Sequence, residues 1–336
     1  DAPDLQDAYG DEFETLYNSY VERGVYRKKM KARQLWSLIC RTQIETGGPY
    51  VMYKDAVNRK NNQKNLGTIR SSNLCAEICE FNSAEEIAVC TLASLCLPKF
   101  VSANGFSFKK LQKAAYICCK NLNKVIDKTT YPLEQAYVSN NKHRPIGIGV
   151  QGLADVFHKL NIPYDSDEAK DLNKQIFETI YYGAMTCSVD LAVKNGAYES
   201  FNGSPLSEGK FAFDLWDVEA TNFDWNQLRE KVLQYGAVNS LLIACMPTAS
   251  TAQINGNTEA FEPCTSNLYV RRVLSGEFMI VNKNLEKICR KQGLWTDKLV
   301  NQIIADKGSV QNTNLPEDLI IISAKTLAAF NFFNFL

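Results

Sequence analysis

Three residues with chemically useful side chains stand at alternate positions in one short stretch of the chain. Asn73 carries an amide, Cys75 a thiol and Glu77 a carboxyl group. In an extended chain, residues two apart lie on the same face about 7 Å apart, whereas in a helix they point away from each other. If the segment is extended, the three groups can reach one small hydroxylated ligand together. The spacing therefore predicts a site at which a thiol and a carboxylate act on a single substrate.

A second candidate site follows an apolar run farther along the chain. Residues 240–244 are predicted to form a buried strand, and Pro247 suits the first turn of a helix after it. Backbone N–H groups and hydroxyl side chains bind phosphate in such a place, and ligands lie at the carboxyl ends of parallel strands. By spacing alone, an ordinary Ser/Thr helix cap is the simpler explanation. The candidate residues are Thr248, Ala249, Ser250 and Thr251.

A glycine motif offers a competing interpretation of the chain. The segment Gly147–Gly152 matches G-x-G-x-x-G between a predicted strand and a predicted helix, the context of a dinucleotide-binding turn. The acidic residue expected about 20 positions later could be only Glu168 or Asp171, which stand in a polar helix start rather than at a strand end. We prefer a tight turn in which glycine allows close backbone approach. A dinucleotide-dependent oxidoreductase is the weaker alternative.

No metal site is predicted from the cysteines. Those at positions 75, 79, 90 and 96 could be four zinc ligands, but structural zinc sites favour pairs two to four residues apart, and the second pair is six apart. Arg271 and Arg272 could contact an anion, although a solvated surface pair is the simpler interpretation.

Composition excludes several classes of protein. The chain of 336 residues, 45% of them hydrophobic, can bury a large core. Its net charge is zero, and no basic stripe predicts nucleic-acid binding. No apolar run reaches the roughly 20 residues that cross a membrane, and the acidic first residues do not form a signal peptide. Eleven cysteines at irregular spacing predict mostly free thiols in a reducing compartment, and hence a cytoplasmic location.

Hydrophobic periodicity predicts buried strands alternating with helices, which indicates an α/β fold with largely parallel strands. Helices are predicted at 11–22, 28–46, 108–128, 153–160, 166–195, 225–235, 283–292 and 296–306, and strands at 50–53, 66–69, within 87–101, at 144–150 and at 240–244. One large domain is the simplest arrangement, and the apolar, Phe-rich stretch from Ile320 to Leu336 differs in character from the rest.

Several motifs together resemble one family. The segment Asn73-Leu74-Cys75-Ala76-Glu77 is similar to the active-site loop of the ribonucleotide reductase large subunit. The further similar motifs are Ala88–Ser94, Arg144–Asp155, Met246–Gln253 and the run from Glu262 to Glu277. The resemblance runs in family order from about residue 5 to about residue 318, and it is strongest to the class I enzyme of eukaryotes and their viruses.

The resemblance implies a ten-stranded α/β barrel of two five-stranded halves, with the catalytic cysteine on a loop threaded into it. This barrel replaces the open parallel sheet that the alternating strands and helices alone would favour, and it explains the glycines at 147–152 without a dinucleotide. Residues 1–318 would form a partial catalytic barrel, incomplete at the N-terminal side, and residues 319–336 a divergent apolar tail.

The resemblance also implies the roles of the candidate residues. Cys75 would become a transient thiyl radical that takes the 3′ hydrogen of a ribonucleoside diphosphate, Glu77 would act as general base on the 3′ hydroxyl, and Asn73 would hold the hydroxyls. Cys90 would be half of the redox-active dithiol that supplies two electrons and ends as a disulfide. The stretch Thr248–Thr251 would cradle the diphosphate.

Partners and cofactors follow by the same resemblance. The implied activity is that of a ribonucleoside-diphosphate reductase, which makes deoxyribonucleotides for DNA synthesis. No cofactor or metal would be bound directly. A small subunit with a diiron-tyrosyl centre would supply the radical, thioredoxin or glutaredoxin the electrons, and ATP and dNTPs would act as effectors of a homodimer. Neither nucleic acid nor a membrane is an expected partner.

Departures from the family pattern predict that this chain by itself is inactive. In the family, the partner of Cys90 and the nucleotide-sensing sites lie upstream of where this chain begins, which suggests a fragment. The tyrosine pair that receives the radical and the terminal cysteine pair have no counterpart in 320–336. The alternative is a truncated, non-catalytic homologue that binds partner subunits.

Overall fold

A computed structural model describes residues 2–323 of the chain. The helices are α1 (Asp11–Glu22), α2 (Ala32–Thr46), α3 (Lys54–Lys60), α4 (Phe108–Lys128), α5 (Glu134–His143), α6 (Leu153–Leu160), α7 (Asp167–Asn195), α8 (Ala212–Leu215), α9 (Trp225–Tyr235), α10 (Thr251–Asn255), α11 (Lys283–Lys291), α12 (Asp297–Ala305) and α13 (Glu317–Ile322). The strands are β1 (Leu92–Cys96), β2 (Val101–Ser102), β3 (Gly105–Phe106), β4 (Gly147–Gln151), β5 (Leu268–Val273) and β6 (Gly276–Val281). None of these helices has the length and apolar character that crossing a membrane requires.

Spatial contacts divide the chain into two compact units, each built from three separate segments. Unit 1 consists of Asp1–Thr91, Lys120–Ile146 and Thr186–Ala244, and unit 2 of Leu92–Cys119, Gly147–Met185 and Cys245–Leu336. The boundary expected at residue 318 stays a prediction. Most of the expected apolar tail, residues 324–336, lies outside the described residues.

Unit 2 contains a parallel pair of strands and a separate helical core. Strands β1 and β4 pair in parallel, from Leu92 opposite Gly147 to Cys96 opposite Gln151. Every residue of β4 is buried, as its apolar sequence requires of a strand covered on both faces. A second core lies among the later helices, where Leu285, Cys289 and Ile303 pack together.

Unit 1 consists of helices and long irregular segments, and buried amide side chains hold these segments. Asn58 donates from Nδ2 to the carbonyl of Ile69 at 3.0 Å and accepts from the Ile69 N–H at 2.7 Å. Asn239, also buried, donates to Asn123 Oδ1 at 3.1 Å and to the Arg144 carbonyl at 2.8 Å. These bonds satisfy backbone groups that have no partner strand.

The mixed α/β class is confirmed, but three strand predictions are wrong. Residues 50–53 and 66–69 form no strand, and 240–244 contain a single bridge residue. Their backbone groups bond elsewhere: the Ser240 carbonyl, for example, accepts from the side chain of Asn62 at 2.8 Å. The described residues contain six strands in three two-stranded sheets and no closed barrel. The ten-stranded count therefore stays a prediction.

Candidate active site

The stretch that contains the three alternating residues forms a tight turn. The Ala76 N–H donates to the Asn73 carbonyl at 3.1 Å, and Ala76 has a φ of 66°. This left-handed conformation is incompatible with a strand. The expectation of an extended segment is wrong, because this backbone bond closes a turn in unit 1 where the alternation suggested a strand.

The turn brings the amide and the carboxylate into direct contact. Asn73 donates from Nδ2 to Glu77 Oε2 at 2.6 Å and accepts from the Ile78 N–H through Oδ1 at 3.0 Å. Cys75 lies between them, and its side chain is exposed. The three groups thus share one turn, and the hydrogen bond fixes the carboxylate beside the loop that carries the thiol.

The thiol of Cys90 lies close to this turn within unit 1. Its pKa is raised, first by partial burial and then by the negative charges of Glu80 and Glu77 and by Cys75. Cys75 and Cys90 are therefore within electrostatic range of each other. The pKa of Cys79 is raised in the same way, by burial and then by Glu80 and Glu77. A raised pKa keeps these groups as neutral thiols near pH 7.

Glu80 is a buried carboxyl group that the sequence did not reveal. Its side chain is 7% exposed, and burial raises its pKa to about 8. At neutral pH this carboxyl is therefore mostly protonated. Two carboxyl groups in different environments can serve as an acid and a base at one site. No spacing or motif marks Glu80, because only its burial distinguishes it.

The candidate phosphate loop lies in unit 2 and is not an ordinary helix cap. Ser250 occupies the N-cap of α10, but its side chain makes no capping hydrogen bond. Thr248 has a φ of 55°, and its Oγ1 accepts from the Ala260 N–H at 2.7 Å. The N–H groups of Ala249, Ser250 and Thr251 have no acceptor among the described residues, and all three residues are exposed. Free N–H groups on an exposed loop suit an anion.

The glycine motif serves packing rather than dinucleotide binding. Gly147 and Gly149 lie inside the buried strand β4, whereas a dinucleotide fingerprint needs them in the turn after the strand. Gly152 has a φ of 77°, and a Cβ there would lie 2.7 Å from Pro98 Cδ. The structure therefore contradicts the dinucleotide interpretation and confirms the close backbone approach.

The remaining candidate ligands give no metal or anion site within the described residues. Between residues 2 and 323, no three His, Cys, Asp or Glu side chains are grouped so that they could hold a metal ion. All eleven cysteines are free thiols. Arg271 pairs with Glu259 at 3.1 Å and Arg272 with Glu277 at 2.6 Å, so both charges already have partners.

Comparison with known proteins gives a consistent result. Residues 1–326 match the family model described as ribonucleotide reductase, barrel domain. The chain is 53% identical over 320 residues to the ribonucleoside-diphosphate reductase large subunit of vaccinia virus (strain Copenhagen), which covers 95% of this chain and 42% of that protein. It is 53% identical over 322 residues to the large subunit of Caenorhabditis elegans, covering 95% of this chain and 41% of that protein. The chain thus spans less than half the length of these relatives, and it belongs to the ribonucleotide reductase large-subunit family.

Proposed function

We propose that this chain supplies the catalytic turn and the substrate loop of a ribonucleoside-diphosphate reductase, an oxidoreductase that makes deoxyribonucleotides for DNA synthesis. The observation that supports this function best is the turn that joins Asn73 to Glu77, with the exposed thiol of Cys75 between them. A reaction at a ribose with two adjacent hydroxyls needs a hydrogen acceptor, a base and a hydrogen-bonding group within one small volume.

Each residue then has one role. Cys75, as a thiyl radical, takes the 3′ hydrogen of the ribose, and the hydrogen atom restores its thiol. Glu77 accepts the proton of the 3′ hydroxyl, which favours loss of the 2′ hydroxyl as water. Asn73 keeps that carboxylate in place through its 2.6 Å hydrogen bond and binds the hydroxyls. Cys90 gives one of the two thiols whose oxidation to a disulfide supplies the two electrons, and the two thiol protons go to the departing hydroxyl, which leaves as water, and to C2′.

The diphosphate would bind at Thr248, Ala249, Ser250 and Thr251. The exposed N–H groups of the last three support this assignment, because each can donate to a phosphate oxygen without losing another bond. The loop belongs to unit 2, whereas Cys75 and Cys90 belong to unit 1. That the loop and the two thiols face one substrate stays a prediction.

The further properties belong to the longer protein. We propose that it completes the ten-stranded barrel and acts in the cytoplasm as a homodimer. A small subunit with a diiron-tyrosyl centre would generate the radical, and thioredoxin or glutaredoxin would return the electrons. ATP and dNTPs would act as effectors.

The test exchanges Cys75 for serine in the full-length protein, with its matched small subunit and cytidine diphosphate as substrate. Cys75→Ser should abolish reduction, because a hydroxyl does not form the oxygen radical under these conditions, while diphosphate binding by equilibrium dialysis should be unchanged. Cys118→Ser, a half-buried cysteine on α4, is the matched control and should keep activity. Reduction by the Cys75 variant would show that the assignment is wrong.

The 336-residue chain by itself should bind cytidine diphosphate without turnover. Turnover by this chain with a small subunit would contradict that expectation, and binding to partner subunits without binding cytidine diphosphate would favour the non-catalytic homologue.

A further inference from the structure

The segment that carries Cys90 has no regular secondary structure. Residues 80–91 contain neither helix nor strand, and β1 begins only at Leu92. A segment without a backbone ladder takes its position from the side-chain and turn contacts that hold it. The place of the Cys90 thiol therefore depends on a small number of such contacts.

Glu86 makes the strongest of these contacts within unit 1. Its Oε1 forms an ion pair with Lys142 Nζ, and its Oε2 lies 2.5 Å from His143 Nε2. Glu86 is 9% exposed and His143 only 1% exposed, so solvent weakens the contact between these two residues little, whereas Lys142 is half-buried. The other ring nitrogen of His143 lies 2.6 Å from Ser200 Oγ. Both nitrogens are thus used, which fixes the imidazole in one orientation.

The backbone around Glu86 forms a turn that holds the carboxylate in place. The Ser83 N–H donates to the Glu86 carbonyl at 2.9 Å, and Ser83 Oγ accepts from the Glu86 N–H at 3.1 Å. The next residue, Ile87, donates its N–H to the Gln135 carbonyl at 3.1 Å. Among the described residues, Glu86 is the only member of 80–91 in an ion pair. The hydrogen bond from Ser83 Oγ to Glu85 Oε2 also involves a carboxylate, but it stays within the segment itself.

Electrostatics show that the carboxylate is bound as a charged group. Burial acts to raise the pKa of Glu86, but the hydrogen bonds from Lys142 and His143 outweigh it, and the pKa is lowered. The contacts with Lys142 and His143, both on α5, therefore stabilise the Glu86 anion. An uncharged side chain at this position would leave Lys142 without its partner.

We propose that Glu86 is a positioning residue for Cys90: by fixing the turn at 83–86 to Lys142 and His143, it sets where the Cys90 thiol stands relative to Cys75. Cys90 stands four positions after Glu86, so a released segment of this length could reach up to about 14 Å from its anchor. The functional meaning of this role rests on the proposed redox function of Cys90. The separation of the Cys75 and Cys90 thiols can be measured whether or not the protein turns over substrate.

The experiment measures the separation of the two thiols directly on this chain. Bis-maleimide cross-linkers of three different spans are applied, and the Cys75–Cys90 product is quantified by mass spectrometry of its peptides. A fixed pair gives the highest yield with the linker that matches its span. In the unaltered chain we expect one preferred linker. In Glu86→Ala we expect that preference to fall by about threefold or more, because the thiols then sample many separations.

A neighbouring residue provides the matched control. Glu85 is exposed, and among residues 2–323 its carboxylate accepts a hydrogen bond only from Ser83 Oγ, at 3.0 Å. Glu85→Ala removes a carboxylate from the same turn but leaves the contacts with Lys142 and His143, so its cross-linking profile should equal that of the unaltered chain.

Two further variants separate positioning from general loss of structure. Glu86→Gln keeps the shape of the side chain, and Lys142→Met removes the partner, whose side chain is 33% exposed. Both should weaken the linker preference, while the buried thiols of Cys187 and Cys289 stay unreactive to maleimide. If Cys187 and Cys289 react with maleimide in Glu86→Ala, that variant has lost its overall structure. The linker preferences of Glu86→Gln and Lys142→Met then decide whether Glu86 positions Cys90. An unchanged linker preference in Glu86→Gln and Lys142→Met would overturn the proposal.

The outcome is distinguishable from failure of the proposed function. A changed profile with an active Cys75→Ser variant of the full-length protein would leave Glu86 as the anchor and remove the radical role. An unchanged cross-linking profile in the Glu86 variants, together with an inactive Cys75→Ser variant, would keep the radical role of Cys75 and remove the positioning role of Glu86.

Discussion

At the scale of single residues, environment rather than residue type assigns the chemistry. Glu77 and Glu80 are identical side chains three positions apart. Glu77 accepts a hydrogen bond from Asn73, whereas Glu80 is buried, with a pKa raised to about 8. Burial disfavours the charged form of a carboxyl group, and the Glu80 carboxyl therefore mostly holds its proton at pH 7. Two identical side chains three positions apart therefore stand in different environments, one hydrogen-bonded and one buried.

The raised pKa of Glu80 makes stability depend on pH. Its pKa in the folded protein is about 8, against an ordinary value of 4.5. The folded state therefore binds more protons than the unfolded state between these values, and stability falls as pH rises through this window. Each pH unit costs up to about 1.4 kcal/mol. Glu80→Gln, which cannot ionise, should lack this loss.

The measurement is the free energy of unfolding by urea at pH 5, 6, 7 and 8. The stability of the unaltered chain relative to Glu80→Gln should fall by a few kcal/mol, on the order of 3, across this range. Glu85→Gln is the matched control, because Glu85 is exposed, and its stability should follow that of the unaltered chain. Parallel curves for the unaltered chain and Glu80→Gln would contradict the raised pKa.

At the scale of elements, the sequence predicts the helices whose bounds follow from hydrophobic periodicity. Helices α1, α4, α6 and α9 have the predicted bounds, because an amphipathic stripe and a Gly or Asn stop are local signals. Periodicity does not predict the contacts of the segments around the turn at residues 73–77. Asn62 and Gln63 bond to Ser240, far along the chain, and such bonds leave no periodic pattern. Spacing and motif resemblance predict the candidate site residues, whereas only the fold distinguishes Glu80 and Glu86.

The turn between β4 and α6 gives a prediction at this scale. Gly152→Ala should destabilise unit 2, because the residue has a φ of 77° and its new Cβ would lie 2.7 Å from Pro98 Cδ and Cγ. The positive φ costs about 1–2 kcal/mol, and the overpacking adds about 1–3 kcal/mol.

The matched control is Gly203→Ala, because Gly203 has a φ of 81° and no atom within 4 Å of its would-be Cβ. Gly203→Ala should therefore lose only the free energy of unfolding that the positive φ costs. Thermal unfolding followed by circular dichroism should therefore place the midpoint of Gly152→Ala below that of Gly203→Ala. Equal midpoints would show that Pro98 moves aside without cost.

At the scale of the whole molecule, charge and surface composition predict how the chain behaves in solution. The chain has 37 basic and 37 acidic residues, so near pH 7 its net charge gives no repulsion between copies. Large apolar side chains are exposed along α2, among them Leu35, Trp36, Leu38 and Ile44. Exposed apolar residues grouped on one element promote association. Both properties favour self-association near neutral pH.

Ile44→Lys tests which of the two properties dominates. Ile44 is 87% exposed, so the substitution leaves the core intact while it adds one positive charge and removes apolar surface from α2. Leu233→Lys on α9, where Leu233 is 55% exposed, adds the same charge away from α2. Light scattering after size-exclusion chromatography at pH 7 should show less association for Ile44→Lys than for Leu233→Lys, because the α2 surface rather than net charge holds the copies together. Equal reduction in the two variants would assign association to net charge, and no reduction in either would exclude both causes.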